Sequence, residues 1–216
     1  MLAVSLPEAE IEPYLNVDLS LAAVNELSSC VVSGPGQAIA DLAGALEEKG
    51  VATRALHTSH AFHSPMMDPI LDEFTERVRQ ANPKAPSLPF VSTLTGTWIS
   101  DEEATDPGYW ARHLRHTVRF ANGLETLLEE PGRVYLEVGP GTTLSTLATR
   151  IARKSEHPAG ASTGVFQASM RHPREDTPDS DCLLDALGQL WMARVPIDWQ
   201  ALHGGVARRR VALPGY

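Results

Sequence analysis

The apolar and polar positions of the first 57 residues follow a pattern typical of a small α+β unit. Two helices are predicted, one opening after Pro7 and rich in glutamate, the other with apolar residues at helical spacing as far as Lys49. The order strand–helix–strand–strand–helix–strand is that of a ferredoxin-like subdomain, which we assign to 1–57. Short apolar runs predict its strands at 1–6, 21–25, 29–33 and 52–56.

From 58 to 155 the chain alternates predicted helices with predicted strands. The strand at 134–138 is a continuous apolar run that turns directly into a helix. A run of this kind is typical of a strand covered on both faces, so the pattern favours part of a parallel α/β sheet. A second strand is predicted at 90–92, and helices are predicted at 64–81, 107–116, 120–129 and 144–152.

A change of composition near 154–163 predicts a boundary, because this stretch is small, polar and contains a proline. Beyond it we expect a strand at 164–169 and an amphipathic helix at 181–194. The tail is basic and then apolar, and we expect it to lie over another surface. Residues 156–216 therefore form a third predicted segment.

Composition excludes several classes of protein. The formal net charge of −9 argues against a nucleic-acid partner, which needs surplus Lys and Arg. No apolar run is long enough to span a bilayer. Cys30 and Cys182 lie far apart in apolar contexts, so two reduced thiols and a cytoplasmic location are expected. Because the chain opens directly in a predicted strand, we expect it to be a piece of something longer.

A histidine cluster is the best candidate for chemistry. Three of the eight histidines, His57, His60 and His63, fall where a predicted strand gives way to a helix. Imidazole exchanges protons near neutral pH, so a general base is one interpretation. No carboxylate or Cys accompanies the cluster at metal-ligand spacing, so no metal is expected. Ordinary, partly buried histidines remain the alternative.

Three strings in this sequence carry a family resemblance. They are the residues at 60–67, 109–120 and 136–141, which read HAFHSPMM, YWARHLRHTVRF and LEVGPG. With Val31-Val32-Ser33-Gly34-Pro35, they resemble the acyltransferase domain of modular type I polyketide synthases. The resemblance implies an α/β-hydrolase-like core, of which 58–155 is the C-terminal part, with 1–57 inserted as the ferredoxin-like subdomain. Residues 156–216 resemble the linker that follows such a domain and packs back over it.

The resemblance also implies catalytic roles. In this family a serine in a Gly-His-Ser-x-Gly elbow attacks an acyl-CoA thioester, and a histidine takes its proton. The last His of the His-Ala-Phe-His box fills the base role, which is His63 here. The main-chain carbonyl at His113 is expected to accept the second ring N–H of that base.

Substrate contacts are implied for His60, Ala61 and Phe62. A Phe in the box resembles malonyl-selective members, because its ring would fill the space that an α-methyl group needs. One methyl group is worth only about 1–3 kcal/mol, so Phe62 should bias selection without dictating it. Phe62 as plain core remains an alternative. Asn25 is a further candidate for the acyl pocket, with a buried turn position as its alternative.

The nucleophile is expected to lie outside this chain. Gly-His-Ser does not occur, and Gly141-Thr142-Thr143-Leu144-Ser145 has the wrong spacing, so we expect no Gly-x-Ser-x-Gly segment here. The resemblance then implies that the serine, most of the oxyanion hole and a carboxylate-binding arginine belong to a preceding segment. The chain alone is expected to be inactive and poorly soluble, because several sheet strands would lack neighbours.

The implied partners are malonyl-CoA, an acyl carrier protein whose phosphopantetheine thiol receives the acyl group, an adjacent ketosynthase reached through the linker, and the missing N-terminal part of the domain. No cofactor is implied. Two alternatives stay open: a hydrolase that sends the acyl group to water, and a non-catalytic structural or docking fragment. A basic stripe at 112, 115, 116 and 119 is interpreted either as a holder of CoA phosphates or of an acidic carrier protein, or as a solvated helix face.

Overall fold

The computed structural model describes residues 1–154, 164–202 and 204. They divide into two compact units, one formed by Met1–Arg133 with Thr146–Gly164 and the other by Val134–Ser145 with Val165–Tyr216. The predicted boundary between 57 and 58 falls inside the first unit. The division into compact units does not test the predicted limits of the three segments, which remain predictions.

A four-stranded antiparallel sheet opens the first unit, with strand order β2-β3-β1-β4. This order, with one helix after β1 and another after β3, is the ferredoxin-like topology and confirms that prediction. The elements are β1 (Leu2–Val4), α1 (Glu8–Ile11), β2 (Ser20–Glu26), β3 (Ser29–Ser33), α2 (Gly36–Glu47) and β4 (Thr53–Ala55).

The core of this subdomain lies between strand and helix side chains that the apolar pattern places on one face. Ile39, Leu42 and Leu46 of α2 are buried at helical spacing, and Val4 and Val32 are buried in the central strands. Full burial of one such side chain stabilises the fold by about 1.5–3 kcal/mol. The sheet therefore has a core of its own.

The helical part of the first unit departs from prediction in three places. The helix expected at 64–81 is divided into a 3₁₀ helix (Pro65–Ile70) and α3 (Leu71–Ala81), since Pro69 has no amide hydrogen to continue the ladder. The strand expected at 90–92 is wrong, because that stretch makes one isolated bridge, Val91 to Trp98. A short helix, α4 (Asp101–Thr105), begins at a Ser100 capping box that the sequence contains. Two helices follow as predicted, α5 (Pro107–Arg115) and α6 (Phe120–Leu128).

The second unit contains a parallel strand pair, as the alternating pattern predicts. β5 (Val134–Pro140) pairs with β6 (Val165–Met170). The Glu137 carboxylate accepts the amide hydrogens of Leu144 and Ser145, at the start of α7 (Thr143–Lys154). Two further helices follow β6, α8 (Asp179–Met192) and α9 (Trp199–Leu202). The predicted tail over another surface lies outside the described residues.

Across the described ranges, no helix has both the length and the apolar content that crossing a bilayer requires.

Candidate active site

His63 lies at the corner between β4 and the 3₁₀ helix, in a backbone conformation that is uncommon for a residue other than glycine. Its φ is +58°, in the left-handed region that favours glycine. The ring is half-buried, and its Nδ1 lies 2.8 Å from the main-chain oxygen of His116. A carbonyl oxygen only accepts, so Nδ1 carries the hydrogen. The Nε2 lone pair is therefore left for another proton donor.

The acceptor carbonyl corrects one prediction. His113 was expected to provide it, but the bonded oxygen belongs to His116, three residues later, with a smaller interaction from the His113 carbonyl. The physical reason is that α5 continues to Arg115, and His116 is the extended residue that caps it. The helix end leaves the His116 carbonyl without an intrahelical partner.

The side chain of His113 takes a different part. Its Nε2 lies 2.9 Å from the Thr93 hydroxyl, and burial lowers the pKa of the His113 imidazole. Tyr109, one turn earlier on α5, donates its hydroxyl hydrogen to Ser92 at 2.5 Å. These two contacts fix α5 against the 92–93 turn, and so fix the helix end that carries the acceptor carbonyl.

Burial also lowers the pKa of the His63 imidazole below its ordinary value of 6.5. The bond to the His116 carbonyl works in the opposite direction, and the positive charge that His113 would carry lowers the pKa further. At pH 7 the ring is therefore mostly neutral. A neutral imidazole with a free Nε2 lone pair is the form that accepts a proton.

The other predicted residues of the box are placed around this ring. Ala61 is buried, and the Phe62 side chain is 38% exposed, so the plain-core alternative for Phe62 is not supported. The exposed His60 ring meets the Phe62 ring edge-on at 6.2 Å. Asn25 lies half-buried within strand β2, not in a turn.

The predicted basic stripe is a set of ion pairs. Arg112 pairs with Asp106 at 3.2 Å, Arg115 with Asp68 at 2.5 Å and Arg119 with Glu8 at 2.5 Å. Two of these carboxylates come from other parts of the first unit: Asp68 links α5 to the 3₁₀ helix, and Glu8 links α1 to the start of α6. The exposed Arg112–Asp106 pair fits a solvated helix face, whereas the pairing of each arginine with an acid within the chain removes support for a site that holds phosphates or an acidic carrier protein.

One expectation about the nucleophile is wrong in its literal form. Gly160-Ala161-Ser162-Thr163-Gly164 does have Gly-x-Ser-x-Gly spacing, although alanine stands where the family motif has histidine. The spacing of the two glycines around Ser162 is the only feature of the sequence that identifies this segment. Ser162 lies outside the described residues. The fully buried serines of the first unit have other partners: Ser33 and Ser64 donate to main-chain carbonyls, and Ser92 accepts from Tyr109.

Within the described parts of the chain, no group of three or more His, Cys, Asp or Glu side chains is placed to hold a metal ion.

Comparison with known proteins gives consistent matches. A family model described as acyl transferase domain matches residues 1–176. A phenolphthiocerol/phthiocerol polyketide synthase of Mycobacterium tuberculosis is 39% identical over all of this chain and 14% of its own length. The spectinabilin polyketide synthase system protein NorB of Streptomyces orinoci is 36% identical over all of this chain and 10% of its own length.

Solved structures similar to this chain are also acyltransferase domains. The acyltransferase domain from the second module of the salinomycin polyketide synthase has a TM-score of 0.84 at 37% identity, covering 99% of this chain and 48% of that one. The acyl transferase domain of SpnD, in complex with 2-(pent-4-yn-1-yl)malonyl, has a TM-score of 0.82 at 38% identity, covering 89% and 45%. The chain therefore spans about half the length of these solved domains and a small part of the curated relatives.

Proposed function

The chain belongs to the acyl transferase domain family found in polyketide synthases, and from this premise we propose that it supplies the catalytic base of malonyl transfer from CoA to an acyl carrier protein. The observation that carries the proposal is the His63 ring, with Nδ1 bonded to the His116 carbonyl and Nε2 left as an acceptor. The serine that completes the dyad would come from the rest of the domain.

The proposed reaction uses His63 twice. First, Nε2 takes the serine hydroxyl proton as the serine oxygen attacks the thioester carbonyl, and the protonated ring then gives that proton to the departing CoA thiolate. Next, Nε2 takes the proton of the carrier thiol as its sulfur attacks the acyl-serine ester, and the serine oxygen recovers the proton. General base assistance of this kind contributes about 10²–10⁴-fold. No cofactor takes part in this scheme.

We further propose that Phe62 restricts the space at the acyl α-carbon. Its partly exposed ring, held edge-on to His60, supports a wall that malonyl fits better than methylmalonyl. The related SpnD domain was solved with a substituted malonyl group, which supports a malonyl-type acyl pocket in this family. His60, Ala61 and Asn25 remain proposed substrate contacts, and the carrier protein and ketosynthase remain proposed partners.

The test uses the intact acyltransferase domain and malonyl-CoA labelled in the malonyl group. We expect rapid labelling of the protein, and then discharge of the label onto a phosphopantetheinylated carrier protein much faster than into water. Discharge to water at the same rate with and without the carrier protein would favour the hydrolase alternative. Absence of any labelled acyl-enzyme in a folded intact domain would contradict the proposal and favour the non-catalytic alternative.

A further inference from the structure

We propose that Ser33, the last residue of β3, is a positioning residue for the His63 ring. Its hydroxyl donates a hydrogen bond of 2.6 Å to the main-chain oxygen of Phe62, the residue directly before His63. The role in catalysis rests on the proposed function, because it acts through His63 as the base. The structural role of Ser33, which is to hold the Phe62 carbonyl and so the backbone before His63, does not depend on the proposed function.

The loop needs such a tether because its backbone is strained. A residue with a side chain in the left-handed region is strained, and this conformation persists only where the surrounding structure holds it. His63 has a φ of +58°. The carbonyls of the two residues before His63 are both hydrogen-bonded. The Phe62 carbonyl accepts from Ser33, and the Ala61 carbonyl accepts from Ser64 at 2.5 Å.

The two serine contacts differ in reach. Ser64 bonds within its own turn, across three residues, as the N-cap of the 3₁₀ helix. Ser33 bonds across 29 residues and ties the loop to the antiparallel sheet. Ser33 is fully buried, so water does not compete with the Phe62 carbonyl for the Ser33 hydroxyl hydrogen. Removing the hydroxyl would leave the Phe62 carbonyl without this donor and would break the hydrogen bond that joins the loop to β3.

The same end of the sheet also holds the acceptor of the His63 bond. Ser33 pairs with Ser20 across β3 and β2, and next to it the Leu21 carbonyl accepts from the Thr117 hydroxyl at 2.7 Å. Val118 exchanges backbone hydrogen bonds of 2.9 Å with Ala22 and Val24. The residues that directly follow His116 are thus paired with β2.

The sheet end therefore locates both partners of the Nδ1 bond, the ring through Ser33 and the His116 carbonyl through β2. Loss of the Ser33 hydroxyl would release only the ring side. The predicted consequence is a His63 ring that no longer keeps one tautomer, because Nδ1 would lose its regular alignment with the carbonyl.

The test compares Ser33→Ala with wild type in the intact acyltransferase domain, using ¹⁵N-labelled histidine and two-dimensional NMR. Above the pKa of His63, wild type should show the Nδ1-protonated tautomer, and Ser33→Ala should show both tautomers. Acyl transfer should lose on the order of tenfold or more in kcat, with an unchanged KM for malonyl-CoA, as for a group that acts only on the chemical step.

Two further variants serve as rescue and control. Ser33→Thr keeps the hydroxyl donor and should recover the single tautomer. Ser100→Ala removes an N-cap hydroxyl from α4, a change that also lowers stability, and should leave the His63 tautomer and kcat unchanged. Parallel thermal melts establish that each variant is folded.

A folded Ser33→Ala domain with the wild-type tautomer and kcat would overturn the proposal. If Ser33→Ala does not fold, the comparison is repeated in trimethylamine N-oxide, which favours the folded state without replacing the hydroxyl donor, and a wild-type tautomer there would overturn the proposal equally. Failure of the proposed function is separate: the wild-type domain would then form no acyl-enzyme while its His63 tautomer still depends on Ser33.

Discussion

The two sheets of this molecule are built from similar apolar strands but differ in how much apolar surface they cover. In the antiparallel sheet, Val31 and Val32 of β3 are 5% and 0% exposed. In the parallel pair, Val138 of β5 is 82% exposed and Met170 of β6 is 49% exposed. Equal hydrophobicity along a strand therefore does not mean equal burial, because burial depends on which neighbours the strand finds.

The two sheets therefore differ in how completely their apolar side chains are covered. The antiparallel sheet has its own core and holds the loop that carries His63. The parallel pair presents apolar side chains that a further layer or strand would cover, and exposed apolar surface of this kind marks a binding site or an aggregation hazard.

The largest expected effect tests whether the loop held by the antiparallel sheet carries the catalytic base. His63→Ala in the intact domain should lower the rate of acyl-enzyme formation by about 10²–10⁴-fold, since general base assistance is lost. Rapid-quench measurement with labelled malonyl-CoA gives the rate. His60→Ala is the matched control, with an exposed ring in the same box, and should cost far less. Equal losses in the two variants would remove His63 from the base role.

The next effect compares the sheets directly through their stability. Val32→Ala should lower the free energy of unfolding of the first unit by about 2 kcal/mol, because it removes fully buried apolar volume. Val138→Ala should change that of the second unit by less than about 0.5 kcal/mol, as for an exposed position. Hydrogen exchange of the strand amides reports on each unit separately. Similar losses at both positions would mean that β5 is covered in solution.

A smaller expected effect tests whether Phe62, in the same loop, forms the proposed wall at the acyl α-carbon. Phe62→Ser should raise the methylmalonyl-to-malonyl preference by about tenfold, within the 1–3 kcal/mol that one methyl group is worth. Competition between the two CoA esters in the intact domain measures the ratio. An unchanged ratio, in a variant that still forms the acyl-enzyme, would exclude Phe62 as the wall.

The smallest expected effect is on pH-dependent stability. Burial lowers the pKa of both His63 and His113, so the unfolded chain binds protons more readily than the folded one. Stability should therefore be fully present above the unfolded pKa of 6.5 and decline as the pH falls through the lower folded pKa values. Urea titrations from about pH 7.5 to about pH 5 measure the decline. His63→Gln should weaken it, and an unchanged decline in that variant would contradict the prediction.

Much of the fold is predictable from the pattern along the chain. The ferredoxin-like order and the parallel pair follow from hydrophobic periodicity, which depends only on side-chain spacing. The missing strand at 90–92 does not, since a strand needs a partner that local sequence does not name. Pro69 is a local signal that could have predicted the break in the helix. The capping box at Ser100 is a local signal that could have located α4.

The site divides in the same way. The sequence by itself determines that an imidazole stands at position 63 beside Phe62, at a strand-to-helix corner, because residue identity and local order are written along the chain. Only the tertiary structure decides that the His116 carbonyl, ahead of that of His113, orients the ring, and that Ser33 holds the loop from 29 residues away. These contacts join segments that are distant in sequence, and no local pattern encodes which distant carbonyl a donor will meet.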